Sequence, residues 1–449
     1  MSTPQISELV NQLSCEVLTD PADYGEYTHD ASDYEAEGTP LGVVFAEKTE
    51  DVSAALKWAN ENRVPVSIRG AGTGIAGGAA AYQNGLVLAL NKMNKILALD
   101  PVNKLADIQP GVITAELDAA ANEHGLFFAP DPASAKISTV GGNIATNAGG
   151  LRCVAHGVTL EAVAALEVVL ANGDIIHTGS RTIKDVSGYN LTQLFVGSEG
   201  TLGIITGATV RLKTAPKGEP YTFSAHFDSM TDAAQAVFDV VNNAKPEALE
   251  LMDAFCVETV ERHFPSGLKV PEAALVLGLC VGEDAKEQAE QITELCKGAG
   301  ASEVAVAQGH ELMNTRRKAQ PALAKENINI FGDVSVPMSE LTTMTQRIEE
   351  ISQRTGKKVA VVAHAGDGNL HPTVESGDTP EQMEEGLEVL SEIVKAAIEL
   401  GGVITGEHGI GALKQHELNL QFSEQTLAVQ RAIKAALDPN NILTPNRVI

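Results

Sequence analysis

Apolar and polar positions follow two different patterns along this chain of 449 residues. In the first half, short apolar runs at Gly42–Ala46, Val64–Arg69, Leu86–Leu90, Leu105–Ile108 and Val163–Leu170 are bounded by glycine and polar residues. Runs of that length and setting predict strands. Thr49–Asn62 and Thr114–Glu123 carry apolar residues at turn spacing and predict helices. Stretches 69–85, 141–150 and 197–207 are dense in glycine, which suits loops that need positive φ. Two prolines and a glycine in Thr214-Ala-Pro-Lys-Gly-Glu-Pro220 mark a boundary. Beyond it, strand-like runs alternate with longer amphipathic helices at Asp232–Asn243, Glu283–Gly298, Met338–Thr355 and Pro380–Leu400, the signature of a sheet covered by helices. The class is α+β, without internal repeats.

Composition narrows the function. Hydrophobic residues make up 44% and charged ones 20%, a globular balance. The longest apolar run, Ala273 to Val281, is far short of the roughly 20 residues that span a bilayer. Met-Ser-Thr-Pro-Gln at the start lacks the basic and apolar regions of a secretory signal. With 32 basic and 59 acidic residues the formal charge is −27, which disfavours nucleic acid and anionic lipid as partners. Cysteines 15, 153, 256, 280 and 296 are scattered and never form C-x-x-C. That disfavours a disulfide framework or a four-cysteine metal site and fits a reducing cytoplasm.

Candidate chemistry begins at Val64–Ala79, where a strand runs directly into a glycine-dense loop. Gly72-x-Gly74-x-x-Gly77 satisfies the dinucleotide fingerprint, but its context does not. A Rossmann unit needs a helix after the glycines, and only Ala79–Asn84 separate this loop from the next strand. No acidic residue closes a second strand about 20 residues on. What remains is a run of main-chain N–H groups able to cradle a pyrophosphate. For one such loop, a plain glycine-rich turn explains the pattern equally well. Two further clusters shift the balance: Pro130-Asp-Pro-Ala-Ser134 leading to Ser138–Asn143 and Asn147–Gly150, and Val196-Gly-Ser-Glu-Gly-Thr-Leu-Gly-Ile-Ile205.

Together, Arg69–Ala79, Pro130–Gly150 and Glu199–Ile205 resemble the flavin-binding half of oxidases of the vanillyl-alcohol-oxidase/p-cresol-methylhydroxylase type, over roughly residues 40–215. The resemblance implies a non-Rossmann FAD site with the pyrophosphate on Arg69, Gly70, Ala71, Gly72, Thr73 and Gly74. Asp131, Ser134, Thr139, Gly142, Asn147, Glu199, Gly200 and Ile205 would line the rest. Members with covalent flavin at this loop carry a histidine after the Gly-Gly pair; Ala79 stands there and implies dissociable FAD.

In the second half, Val361-Val-Ala-His-Ala-Gly-Asp-Gly-Asn-Leu-His-Pro-Thr-Val374 holds Asp367-Gly368 between apolar runs, a two-residue hairpin signal. A hairpin centred there sets His364 directly opposite His371, with Cβ atoms about 4.5–5.5 Å apart, close enough to share a metal ion. Two half-buried sheet histidines would look the same. Thr405-Gly-Glu-His-Gly-Ile-Gly411 offers a third ligand, with Glu407 and His408 its only ionisable groups. Two histidines, a carboxylate and an open position suit catalytic zinc, with manganese or iron as alternatives.

These stretches resemble the C-terminal domain of FAD-linked D-2-hydroxy-acid dehydrogenases, the group of D-lactate dehydrogenases, glycolate oxidase flavin subunits and D-2-hydroxyglutarate dehydrogenases. The resemblance implies His364, His371 and Glu407 as metal ligands and His408 as catalytic base. In Leu312–Pro321 it implies Arg316, with Arg317 the adjacent choice, as the grip on the substrate carboxylate; without it, Arg316, Arg317 and Lys318 read as a solvated basic run. The implied architecture is a two-part FAD domain over 1–217 and a substrate and metal domain over 218–449, with roughly the last 40 residues returning to the first. The implied reaction oxidises a small D-2-hydroxy acid to the 2-oxo acid, hydride passing to flavin N5. The acceptor beyond the flavin is open among a quinone, a cytochrome and an electron-transfer protein. A homodimer and a location in the cytoplasm, or peripheral to the inner membrane, fit this reading. Alternatives are a D-2-hydroxyglutarate dehydrogenase and an electron-relay subunit of a glycolate-oxidase-like complex. Two departures weigh against a diacid: relatives specific for 2-hydroxyglutarate have lysine where Phe331 stands, and tend to asparagine where Thr373 stands. Leu443-Thr-Pro-Asn-Arg447 also departs from the usual Asn-Pro-Gly-Lys.

Overall fold

A computed structural model describes residues 5–449. The chain divides into two compact units. The first runs to Gly149, resumes over Val158–Ala215 and ends with Glu407–Ile449; the second comprises Gly150–Gly157 and Pro216–Gly406. The crossing at Ala215–Pro216 lies in the proline-bearing stretch, where a rigid φ and a missing N–H discourage any element from continuing.

In the first unit, Gly42–Phe45, Leu86–Ala89 and Val66–Arg69 lie side by side as parallel strands, with Val17–Leu18 added antiparallel at one edge. The three parallel strands are apolar apart from Ser67 and Arg69 and are almost wholly buried, as strands covered on both faces must be. Val66–Arg69 and Leu86–Ala89 are parallel neighbours, yet the chain between them contains no helix. The dinucleotide reading of Gly72–Gly77 therefore fails on topology. A second, antiparallel sheet has the order Ile96–Asp100, Leu105–Ile108, Ile204–Arg211, Val163–Val169 and Ile175–Gly179. The predicted helix Thr49–Asn62 forms with the same limits and buries Val52, Ala55, Leu56 and Ala59, one face at helical spacing. Stretch 141–150, read as loop, instead contributes most of a short helix, Val140–Thr146, capped by the Thr139 side chain and ended by Asn147 at φ +52°. Two consecutive glycines masked it, because they lower helix propensity without forbidding a helix that its neighbours hold.

In the second unit, the described residues form an eight-stranded antiparallel sheet. Its order is Glu303–Gln308, Tyr221–Phe227, Ala274–Cys280, Ala248–Asp253, Val359–His364, Asn369–Glu375 and Ile328–Phe331, with Val334–Ser335 also on Asn369–Glu375. Met252, Leu275, Leu277, Ala360 and Val362 pack with Cys256, Val257 and Val260 of the helix Ala254–His263 and with Leu323 of Ala319–Ala324. Helices Met230–Asn243, Ala285–Gly298, Leu341–Thr355 and Pro380–Glu399 pack with one another and against the strands as a further layer. Gly278 faces Phe223 in register, and a Cβ there would stand 2.4 Å from the Ala248 carbonyl and 2.6 Å from the Phe223 ring.

That crowding is tested by Gly278→Ala, expected to destabilise the protein by about 1–3 kcal/mol through overpacking. Gly298→Ala, at a helix end where a Cβ meets nothing within 4 Å, should stabilise by about 0.4–1 kcal/mol. Thermal unfolding of both variants beside wild type reads the opposite signs.

Candidate functional site

The first unit builds a main-chain cradle. After the strand ending at Arg69, residues 70–78 run without regular structure. A Cβ on Gly70 would lie 2.5 Å from Thr139 Oγ1, and one on Gly72, at φ +71°, 2.3 Å from the Arg69 guanidinium. A Cβ on Gly77, at φ +73°, would strike the Tyr34 ring. Only glycine lets the backbone pass here, and side-chain-free N–H groups are what an anionic phosphate ester requires. The Arg69 guanidinium itself turns away: it is buried, donates to the His29 carbonyl and reaches the Ala71 carbonyl at 3.4 Å. Burial pushes its pKa down, against the pull of Glu26. Arg69 thus shapes the loop, and its main chain is the part that lines it.

The other residues expected in this half make the following contacts within the unit. Thr139 Oγ1 accepts from Gly142 N at 3.2 Å, and Asn147 Oδ1 accepts from Leu160 N at 2.9 Å. Asp131 and Ser134 are half-buried in the loop before that short helix, and Ile205 is buried near the start of its strand. Gly200 takes φ +75°, and Glu199 beside it φ +50°. The two carboxylate oxygens of Glu199 accept from Ile410 N at 2.8 Å and Gly411 N at 2.9 Å. Burial pushes its carboxyl up, opposed by those two N–H groups. Glu199 therefore anchors the loop that carries Glu407 and His408, whose side chains lie 3.8 Å apart.

The second unit holds the polar end of an otherwise apolar sheet face. His364 and His371 share that face, their rings edge to face with centroids 5.2 Å apart. The register is not the one expected. Val362 pairs with His371 and His364 with Asn369, so the histidines are diagonal rather than opposite. Ala365–Asp367 coils into a helical turn closed by Gly368 at φ +79°, giving a four-residue connection where a two-residue one was expected. A Cβ on Gly368 would meet the Val336 carbonyl at 2.3 Å, so packing against a neighbouring segment selects this turn.

Glu250, fully buried, lies between His364 and Arg316. His364 Nδ1 is 2.9 and 3.0 Å from its two oxygens, and Arg316 Nε donates to Oε2 at 2.7 Å. Arg316 is only 8% exposed, at the end of the helix Glu311–Arg317, whereas Arg317 is exposed; of the adjacent arginines, Arg316 faces the sheet. Asp333, also buried, accepts from Asn369 Nδ2, Thr405 Oγ1 and Gly406 N at 2.8, 2.6 and 2.9 Å and stands 3.9 Å from His371 Nδ1. Glu250 and Asp333 were missed as site residues. The available signal was a single acidic residue inside an apolar strand, Ala248-Leu-Glu-Leu-Met252. Glu407 and His408 belong to the first unit and are placed there by Glu199.

The family model for the C-terminal domain of FAD linked oxidases matches residues 220–448, and one for an FAD binding domain matches 40–179. The chain belongs to the FAD-linked oxidases. This FAD-linked oxidase is 41% identical to glycolate oxidase subunit GlcD of Bacillus subtilis, over all of its own length and 97% of that protein. It is 40% identical to D-lactate dehydrogenase of Archaeoglobus fulgidus over 91% of each chain. In fold it is similar to p-cresol methylhydroxylase, with a TM-score of 0.77 and 20% identity over 96% of this chain and 93% of that one. The protein is an oxidoreductase whose cofactor is FAD, and the glycine cradle fits that cofactor. Among the described residues, no helix is long and apolar enough to cross a membrane.

Gly72→Val puts a branched side chain at positive φ against the Arg69 guanidinium. FAD affinity should fall at least about tenfold, ~1.4 kcal/mol, with the fold retained. Flavin absorbance per chain after gel filtration, beside far-UV circular dichroism, checks it.

Proposed function

We propose that this oxidase converts a small D-2-hydroxy acid to its 2-oxo acid, and that D-lactate is nearer its substrate than D-2-hydroxyglutarate. The observation that carries the proposal is the buried Arg316–Glu250–His364 cluster next to His371. It sets a carboxylate-binding cation beside two imidazoles, in a chain akin to proteins named for D-lactate and glycolate.

Arg316 uses Nε on Glu250, which leaves the terminal amino groups of the fork for a substrate carboxylate. The motifs assign His364, His371 and Glu407 to a divalent metal, zinc first; the two histidines suit it, because they share one sheet face and His364 turns Nδ1 to the Glu250 carboxylate, which leaves Nε2 for a metal. A metal held there supplies Lewis acidity at the substrate hydroxyl oxygen, and bound FAD, non-covalent because Ala79 offers no attachment, supplies the two-electron sink. His408 takes the hydroxyl proton as general base. Water is kept from the cluster by the apolar packing of Met252, Val362 and Met313.

Substrate size rests on Phe331. It pairs with Thr373, two residues along the strand from His371, and so lies on the same sheet face as the histidine. A second carboxylate against this ring, which is 38% exposed, would gain no countercharge from it, whereas a methyl group gains about 0.8 kcal/mol per carbon it buries there.

Anaerobic bleaching of the flavin by D-lactate and D-2-hydroxybutyrate, and not by their L-isomers, tests the stereochemistry. Bleaching by L-isomers alone defeats it. Arg316→Ala should lower kcat/KM for D-lactate by about 10–150-fold, the ~1.5–3 kcal/mol of a charged hydrogen bond. Phe331→Lys should raise kcat/KM for D-2-hydroxyglutarate by a similar factor, and a wild type that already prefers diacids contradicts the argument from Phe331.

A further inference from the structure

We infer that Glu250 is a positioning residue that sets the metal-ligating face of His364 and the substrate-binding edge of Arg316 together, an inference that rests on the reading above. Glu250 lies mid-strand in Ala248–Asp253, at 0% exposure, on the face that packs Met252, Leu277 and Val362. A carboxylate without water needs charged or donating partners, and these two supply them.

The bond to His364 settles a tautomer. An ionised carboxylate only accepts, so the nitrogen it meets, Nδ1, carries the hydrogen. Nε2 is then left with its lone pair, the form a metal ligand must have, and the ring plane is held by two oxygens rather than one. Arg316 is held by the same group through Nε, and because a guanidinium is planar, one bond at Nε orients both terminal nitrogens. One carboxylate thus aligns the group for the substrate hydroxyl with the group for its carboxylate, which sit on adjacent carbons in a 2-hydroxy acid.

Asp333 does not play this part for His371. It is 3.9 Å from that Nδ1, beyond hydrogen-bond reach, and its oxygens serve Asn369, Thr405 and Gly406.

The test uses flavin-loaded wild type, Glu250→Ala and Glu250→Gln, each stripped of metal and titrated with Zn2+ against a chromogenic chelator, with steady-state kinetics on D-lactate. Glu250→Ala should weaken zinc binding about 10–100-fold and raise KM, with flavin content unchanged. Glu250→Gln, which keeps one acceptor oxygen, should recover part of the zinc affinity and leave KM high, since its amide NH2 faces the Arg316 Nε–H. A merely structural role would lower the unfolding temperature of both variants without separating zinc affinity from KM. Wild-type zinc affinity and KM in Glu250→Ala overturns the inference alone; a wild type that takes no zinc overturns the metal reading beneath it. Should the variants not fold, 15N-histidine spectra of wild type, with His364→Gln for assignment, decide the matter. Zinc shifting Nε2 of a ring protonated at Nδ1 supports the inference, and zinc on Nδ1 overturns it.

Discussion

The second unit is organised by the constraint that a carboxylate with no access to water must be met by charge. Glu250 stands where a strand should be apolar, and Arg316 and His364 meet it. Arg316 is drawn in from its helix, and the His364 ring is turned to present Nδ1. Replacing such a buried cluster with apolar residues would often cost nothing in stability, so its presence points to function rather than to folding.

The first unit uses a different device for the same end. Its glycine loops pass close to neighbouring side chains, and buried side chains brace those loops. Arg69 spends its guanidinium on His29 and Ala71, and Glu199 spends its carboxylate on the N–H groups of Ile410 and Gly411. Both residues brace the main chain of the loops that carry the expected cofactor motifs. Glu199 is one of several links between distant stretches of this unit, with the Val66–Leu443 bridge and the bond from Lys434 to the Thr201 carbonyl, that make the final 43 residues, Glu407–Ile449, part of the first body of the chain.

Much was legible beforehand because it rests on local chemistry. The short runs at Val66–Arg69 and Leu86–Ala89, bounded by turn residues, form the strands they predict, and the helix Thr49–Asn62 has limits set by its own periodicity. Motifs singled out His364 and His371, and the diagonal register still leaves them on one face, since residues two apart on a strand always share it.

By itself, then, the sequence determined the helix Thr49–Asn62, the strands of the first half and the exclusion of a Rossmann unit, because periodicity and backbone sterics act within a few residues. Only the tertiary structure decided the turn at Gly368, which the Val336 carbonyl imposes from another segment, and the choice of Arg316 over Arg317, which depends on which side of one helix faces the sheet. It alone decided the partners of Glu250, 66 and 114 residues away along the chain. A buried charge takes its meaning from what folds against it, and at such separations no local pattern records that.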